Sequence, residues 1–165
     1  MKLSGRMQRV VHEQRLGFVA TVTPDGRPNL SPKGTTRLWD DERLFFADIA
    51  SPGTVANLRA NPHVEINVVD PILRKGFRFK GTATVYTSGE MYHRGLQILR
   101  EQGSTTNRER VRSIVVIDVT EAAELVSPAY DDGATEQSIS QRWLGFYTQL
   151  HSASRCTIEG AADLT

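Results

Sequence analysis

One cysteine, Cys156, stands in a chain of 165 residues, so neither an intrachain disulfide nor a cysteine metal cage can form. The four histidines, His12, His63, His93 and His151, show no metal-ligand spacing, and no metal site is expected. Charge of one sign is not in excess either: 20 Lys+Arg face 19 Asp+Glu, a formal net charge of +1. Nucleic-acid binders normally carry a basic excess or stripe, so no nucleic-acid partner is expected. No apolar run approaches the length that spans a bilayer. The opening MKLSGRMQRVVHEQ lacks the apolar centre of a signal peptide, which makes a cytoplasmic protein without a membrane partner the expectation. Motifs that name common enzyme classes are missing too: no complete GxGxxG, Walker phosphate loop, HExxH, CxxC or GxSxG occurs. Gly76 to Gly81 has Walker-like glycine spacing, but Thr82 follows where Lys is required and the segment alternates as a strand. It reads as structural.

What is present centres on Asn29 to Pro62, NLSPKGTTRLWDDERLFFADIASPGTVANLRANP, which reads as a strand, a polar turn, a second strand and a short helix. Ser51 sits where an N-cap belongs, and Pro52 takes the first helical position, where its missing N–H has no intrahelical partner to lose. Val55 and Leu58 share one face, and Asn61-Pro62 closes the helix. Ahead of this stretch, Ser4 to Gln14 reads as an amphipathic helix with Met7, Val10 and Val11 on one side. LGFVATVTPDGRPNLSP reads as a hairpin turning at Asp25-Gly26. After it come the strand HVEINVVD, a basic loop over Pro71 to Lys75 and a long alternating strand over Gly76 to Thr87. Glu90 to Gln102 reads as a helix with Met91, Leu96 and Leu99 inward and Gly103 as its C-cap. SIVVIDVTEAAEL is a nearly continuous apolar strand, the pattern of one covered on both faces. YDDGATEQS is loop-like, SISQRWLGFYTQLH is helical with Trp143 and Phe146 as anchors, and the tail beyond Ser152 reads as frayed.

About six strands joined mostly by tight turns, with two or three helices, give a mainly β fold with helices (α+β): an antiparallel barrel with helices on its ends. A single domain over residues 1–165 is expected, with a core over about 5–127 and a C-terminal helix and tail over 128–165.

The chemistry concentrates at one place. The first N–H groups of a helix, here near Gly53 and Thr54, have no intrahelical acceptor and lie at the positive end of the dipole, which suits a phosphate. Lys33 and the Thr35 and Thr36 hydroxyls, at the end of a strand that should pair beside RLFFAD, would add a charge and donors. The same residues would serve any capped helix. Arg74, Lys75, Arg78 and Lys80 form a basic run that is either a solvated face or a contact for an anionic ligand or neighbouring subunit. Asp40-Asp41 and Asp131-Asp132 fall in turns, where Asp bends the backbone, and no acid–base pair stands out as catalytic.

GFVATVTPDGRPNLSPKG, then LFFAD, then SPGTVANLRANPHVEINVV, then FRFKGTATVY resembles the pyridoxamine 5'-phosphate oxidase-like family of flavin-binding split-barrel proteins, over roughly Leu16 to Val119. The resemblance implies a six-stranded antiparallel split β-barrel of the FMN-binding type, working as a homodimer with FMN at the subunit interface. It also implies roles. Ser31, Pro32, Lys33, Gly34 and Thr35 would lie along the flavin, and Phe46, Ala47 and Asp48 would border its ring through backbone groups. Ser51, Gly53 and Thr54 would meet the phosphate, with Asn57 assisting. Where the family's oxidases carry an Arg-Lys pair at this helix, this chain has Gly53-Thr54, which leaves F420 as the alternative cofactor.

The Arg-x-His element with which those oxidases hold pyridoxal phosphate does not occur, and Arg142-Trp143 is a partial echo. Pyridoxamine 5'-phosphate oxidase activity is therefore not expected. A flavin-dependent oxidoreductase acting on another small molecule is, with Arg78, Lys80, Tyr86 and Trp143 as substrate-lining groups. The alternatives are an F420-dependent reductase and a flavin-binding protein without turnover.

Overall fold

In a computed structural model, residues 1–162 are described, with side chains through residue 152. The chain runs α1 (Gly5–Gln14), β1 (Gly17–Val22), β2 (Pro28–Lys33), β3 (Arg37–Leu38), β4 (Arg43–Asp48), α2 (Pro52–Ala60), β5 (His63–Asp70), β6 (Lys75–Tyr86), α3 (Gly89–Glu101), β7 (Ser113–Val126) and α4 (Glu136–Ala162). The strands join in one seven-stranded sheet in the order β2-β1-β5-β6-β7-β4-β3. The pairs β1–β2, β1–β5, β3–β4 and β4–β7 run antiparallel. The seventh strand, beyond the six expected, is the two-residue β3, which pairs Arg37 with Phe45 and Leu38 with Leu44 inside what the sequence marks as a polar turn.

The chain divides into two compact units, Met1–Val69 with Gly76–Leu125, and Asp70–Lys75 with the chain from Val126 onward. In the first, β4 shows why RLFFAD carries no alternation. Leu44 and Phe46 pack into one apolar cluster with Val19, Ile66, Phe79, Val115 and Ile117. Phe45 and Ala47 pack into a second with Ile98, Leu99, Ile114 and Val116. A strand with core on both faces needs apolar residues throughout, and the first five residues of β7 are buried for the same reason. Each fully buried Phe or Ile contributes about 1.5–3 kcal/mol relative to exposure. On β6, a Cβ at Gly81 would lie 2.3 Å from the Asp118 carbonyl oxygen, so the glycine spacing that imitates a phosphate loop serves close strand packing.

Helix α1 starts at Ser4, whose Oγ accepts from the Met7 N–H at 3.4 Å, and it buries Val11. Helix α3 ends as expected at Gly103, where φ is +72°. The Gly103 N–H reaches the Arg100 carbonyl (3.0 Å) and the Ser104 N–H the Leu99 carbonyl (2.9 Å), the Schellman arrangement.

In the second unit, Asp70 Oδ1 accepts from the Ile72 and Leu73 N–H groups and Tyr130 Oη donates to the Leu73 carbonyl. The Arg74 guanidinium lies 3.6 Å from the centre of the Trp143 ring, and Lys75 pairs with Glu136 at 2.8 Å. Among the residues of α4 whose side chains are described, Ile139 is buried, at 4% exposure, whereas Phe146 is half exposed and does not anchor this helix. The tail expected to fray after Ser152 is helical to Ala162, while residues 163–165 and side chains past 152 lie outside the described residues.

Candidate functional site

The β1–β2 register sets the site. Gly17 pairs with Lys33 and Val19 with Ser31, which puts Ser31 and Lys33 on the inward face with Val19 and turns Pro32 outward beside Phe18. Thr35 Oγ1 accepts from the Ala47 N–H (2.9 Å) and donates to the Ala47 carbonyl (3.1 Å), zipping the turn after β2 onto β4. Thr36 Oγ1 donates to the Lys33 carbonyl at 2.9 Å. Arg37, only 4% exposed, gathers the carbonyls of Arg15, Gly34 and Thr36 on its Nη1. Burial and the nearby Arg15 charge push the Arg37 guanidinium below its usual pKa. Sequence reasoning missed this clamp, because an arginine inside a polar turn carries no local mark of burial.

The turn so held delivers Lys33, itself 4% exposed, to the start of α2. Lys33 Nζ donates to Ser31 Oγ and to Ser51 Oγ, each at 2.5 Å, and sits 5.7 Å from the Phe46 ring centre. Burial lowers its pKa below the ordinary lysine value, and the Asp48 carboxylate partly opposes that shift. Asp48 Oδ1 is engaged by the Ser51 N–H at 2.8 Å.

Ser51 stands at the N-cap position, as expected, but makes no side-chain cap; its Oγ faces Lys33 instead. The first helical N–H to find a carbonyl is that of Val55, on Ser51 O at 3.3 Å. Those of Gly53 and Thr54 have no acceptor among the described residues. A Cβ placed on Gly34 or Gly53 would meet nothing within 4 Å, so open space borders both.

Proton accounting makes this corner a donor cradle. An ammonium group has no lone pair to offer. Both serine oxygens that accept from Lys33 must therefore turn their own O–H protons elsewhere. Ser31, Ser51, the third Lys33 N–H and the Gly53 and Thr54 amides then form a set of donors that suits phosphate.

Of the other expected residues, Phe46, Ala47, Asp48 and Thr54 are all buried at or near the corner. Asn57 is buried too, but its Nδ2 donates to Thr21 Oγ1 at 3.1 Å, tying α2 to β1. Three of the four residues in the basic run are paired with carboxylates, and Arg74 lies over the Trp143 ring. Arg78 lies 2.9 Å from Glu65 and Lys80 lies 3.0 Å from Glu121, in addition to the Arg74 and Lys75 contacts above. Tyr86 packs against the second apolar cluster, and Trp143 belongs to the second unit. Among the described residues, no group of three or more His, Cys, Asp or Glu could hold a metal. No helix among them is long and apolar enough to cross a membrane.

The model of the pyridoxamine 5'-phosphate oxidase family matches residues 3–125, three quarters of the 165-residue chain, and the chain belongs to that family. HupZ of Group A Streptococcus superposes with a TM-score of 0.67 at 30% identity, over 76% of this chain and 95% of that one. An uncharacterised protein of Methanocaldococcus jannaschii is 28% identical over 130 residues, 77% of this chain and 83% of its own length. The fold is shared with an F420 reductase (TM-score 0.59, 21% identity, 73% of this chain and 98% of that one). It is shared also with an FMN-binding protein from Syntrophomonas wolfei (TM-score 0.61, 14% identity, 74% and 85%). The expected family and the antiparallel split-barrel fold both hold.

Proposed function

We propose that this protein is an FMN-dependent oxidoreductase that works as a homodimer, with the cofactor phosphate held at the start of α2. The observation that carries the reading is the buried Lys33, whose two hydroxyl partners and neighbouring free amides form a donor set matched to a phosphate. Family membership supports a flavin as the occupant. The residues present fit the group. Lys33 would supply the positive charge; Ser31, Ser51 and the Gly53 and Thr54 amides would supply hydrogen bonds; and the backbone over Phe46 to Asp48 would border the ring. When bound, the flavin supplies hydride and electron transfer, so the chain's part is to hold, orient and shield it. That division of labour accounts for the lack of an acid–base pair.

The outward face of the β1–β2 hairpin supports the dimer: Phe18 and Val22 are each 41% exposed and Leu30 66%, a stripe that a second copy would cover. Arg78 and Lys80 are the proposed substrate contacts, reached by exchanging Glu65 and Glu121 for an acidic group of a small molecule. Oxidation of pyridoxamine 5'-phosphate is not the proposed reaction, because the Arg-x-His element is lacking.

The test is the visible spectrum of the purified protein, followed by fluorescence titration of the apoprotein with FMN and with F420 and by light scattering. Saturable FMN binding to a dimer is expected. Binding of neither cofactor refutes the site, and preference for F420 moves the protein to the alternative reductase reading. A monomer that binds FMN refutes the dimer. Bound FMN that no pyridine nucleotide reduces and no substrate reoxidises makes it a flavin-binding protein without turnover.

A further inference from the structure

A cavity of about 530 Å³ is lined by α3 and the 104–111 segment, and none of its lining residues belongs to the corner at α2. Its floor is apolar, made by Leu96, Leu99 and Val111, and its polar lining is His93, Gln97, Arg100, Ser104, Thr105, Thr106 and Arg108. No carboxylate lines it. Gln97 Nε2 donates at 2.7 Å to Glu101, the adjacent acid on α3, which lies outside the lining. Neither Arg100 nor Arg108 has a side-chain ion pair or hydrogen bond among the described residues.

The far wall is built rather than loose. Tyr92 Oη donates to the Val111 carbonyl (2.8 Å), and the Asn107 side chain accepts from the Glu109 N–H (3.0 Å). Ser104 Oγ donates to Thr106 Oγ1 at 2.9 Å, which leaves the Thr106 O–H proton free to donate elsewhere. At the C-terminal end of α3 the Leu99 and Arg100 carbonyls already accept the Ser104 and Gly103 amides, so neither is left as an unpaired acceptor beside the cavity.

An apolar floor under a rim of guanidiniums and hydroxyls, at a volume within the range of small-molecule sites, selects one ligand chemistry. We infer that this cavity binds a small organic anion, an acidic head group on an apolar ring-sized body, with Arg100 and Arg108 on the head and Leu96, Leu99 and Val111 against the body. The head is phosphate or carboxylate. The site is separate from the proposed flavin corner and its occupancy does not depend on it.

Two-dimensional amide NMR on the full chain, titrated with phenyl phosphate, phenylacetate and neutral benzyl alcohol, tests the assignment with and without saturating FMN. Expected are saturable shifts at Ser104 to Thr106 for one or both anions, none for benzyl alcohol, and at least tenfold weaker binding by R100Q/R108Q. The control R94Q/R110Q removes the same charge from exposed arginines outside the lining and should bind within twofold of the parent. The stronger of the two anions identifies the head group. No saturable shift with either anion, or equal losses in both double variants, overturns the inference. Either result leaves the FMN titration standing on its own.

Discussion

Replacing Lys33 with methionine separates a ligand-holding role from a structural one. The ammonium is 4% exposed and rests on two hydroxyls at 2.5 Å, with its pKa lowered by burial. In the apoprotein its charge is therefore a burden that two neutral acceptors only partly offset. Methionine keeps the stem's apolar contacts, so apoprotein stability should change by less than about 1 kcal/mol, read by urea unfolding. Cofactor binding should suffer far more. A charged hydrogen bond to phosphate is worth roughly 1.5–3 kcal/mol, so FMN affinity should fall roughly 10- to 150-fold in a fluorescence titration. The pH dependence carries a sign. The folded state binds the Lys33 proton less tightly than the unfolded state, whose value is about 10.4. Apoprotein stability should thus rise with pH between the lowered folded value and the unfolded one, and K33M should lose that rise. FMN affinity of the parent should decline as pH passes the folded value, while that of K33M stays flat. Affinity within twofold of the parent at both low and high salt, or a stability loss above about 2 kcal/mol, would refute the reasoning.

Other outcomes follow from neighbouring geometry. Thr54 Oγ1 makes no hydrogen bond among the described residues. If it joins the Thr54 amide on the phosphate, Thr54→Val should cost about 1 kcal/mol of FMN binding, a fivefold rise in Kd, with the far-ultraviolet circular dichroism of α2 unchanged. Asn57→Ala should do the reverse. It breaks the buried bond to Thr21 Oγ1, so unfolding experiments should show a loss of about 1–3 kcal/mol while FMN affinity moves less than threefold. Gly81→Ala sets a methyl 2.3 Å from a backbone carbonyl, and calorimetry should show a Tm drop equivalent to about 1–3 kcal/mol or more.

The legible parts of this protein were those whose cause is local. Asp25-Gly26 as a hairpin turn, Pro52 as a helix start and Gly103 as a helix stop each follow from one or two residues' backbone preferences. The strand RLFFAD was placed to the residue, because an unbroken apolar run between turn signals leaves few alternatives. Elsewhere local marks misled. β3 hides in a polar turn, since its pairing comes from β4 and not from its own residues. Phe146 looked like an anchor because an aromatic on a helix suits either face, and only neighbours decide which is covered. Ser51 occupied the cap position, yet a lysine 18 residues earlier captured its hydroxyl.

By itself the sequence determined the order and kind of the elements other than β3 and the far end of α4, the ordered motifs that mark the family, and the helix start where donors gather. These depend on dihedral preference, hydrophobic period and spacing, all of which act over a few residues. Tertiary structure alone decided that Lys33 is buried and shares its protons with two serines. It alone decided that Arg37 clamps the turn behind Lys33 and that Arg78 and Lys80 are already paired. Those facts depend on which strands lie side by side and in what register, and register is set by the whole sheet at once.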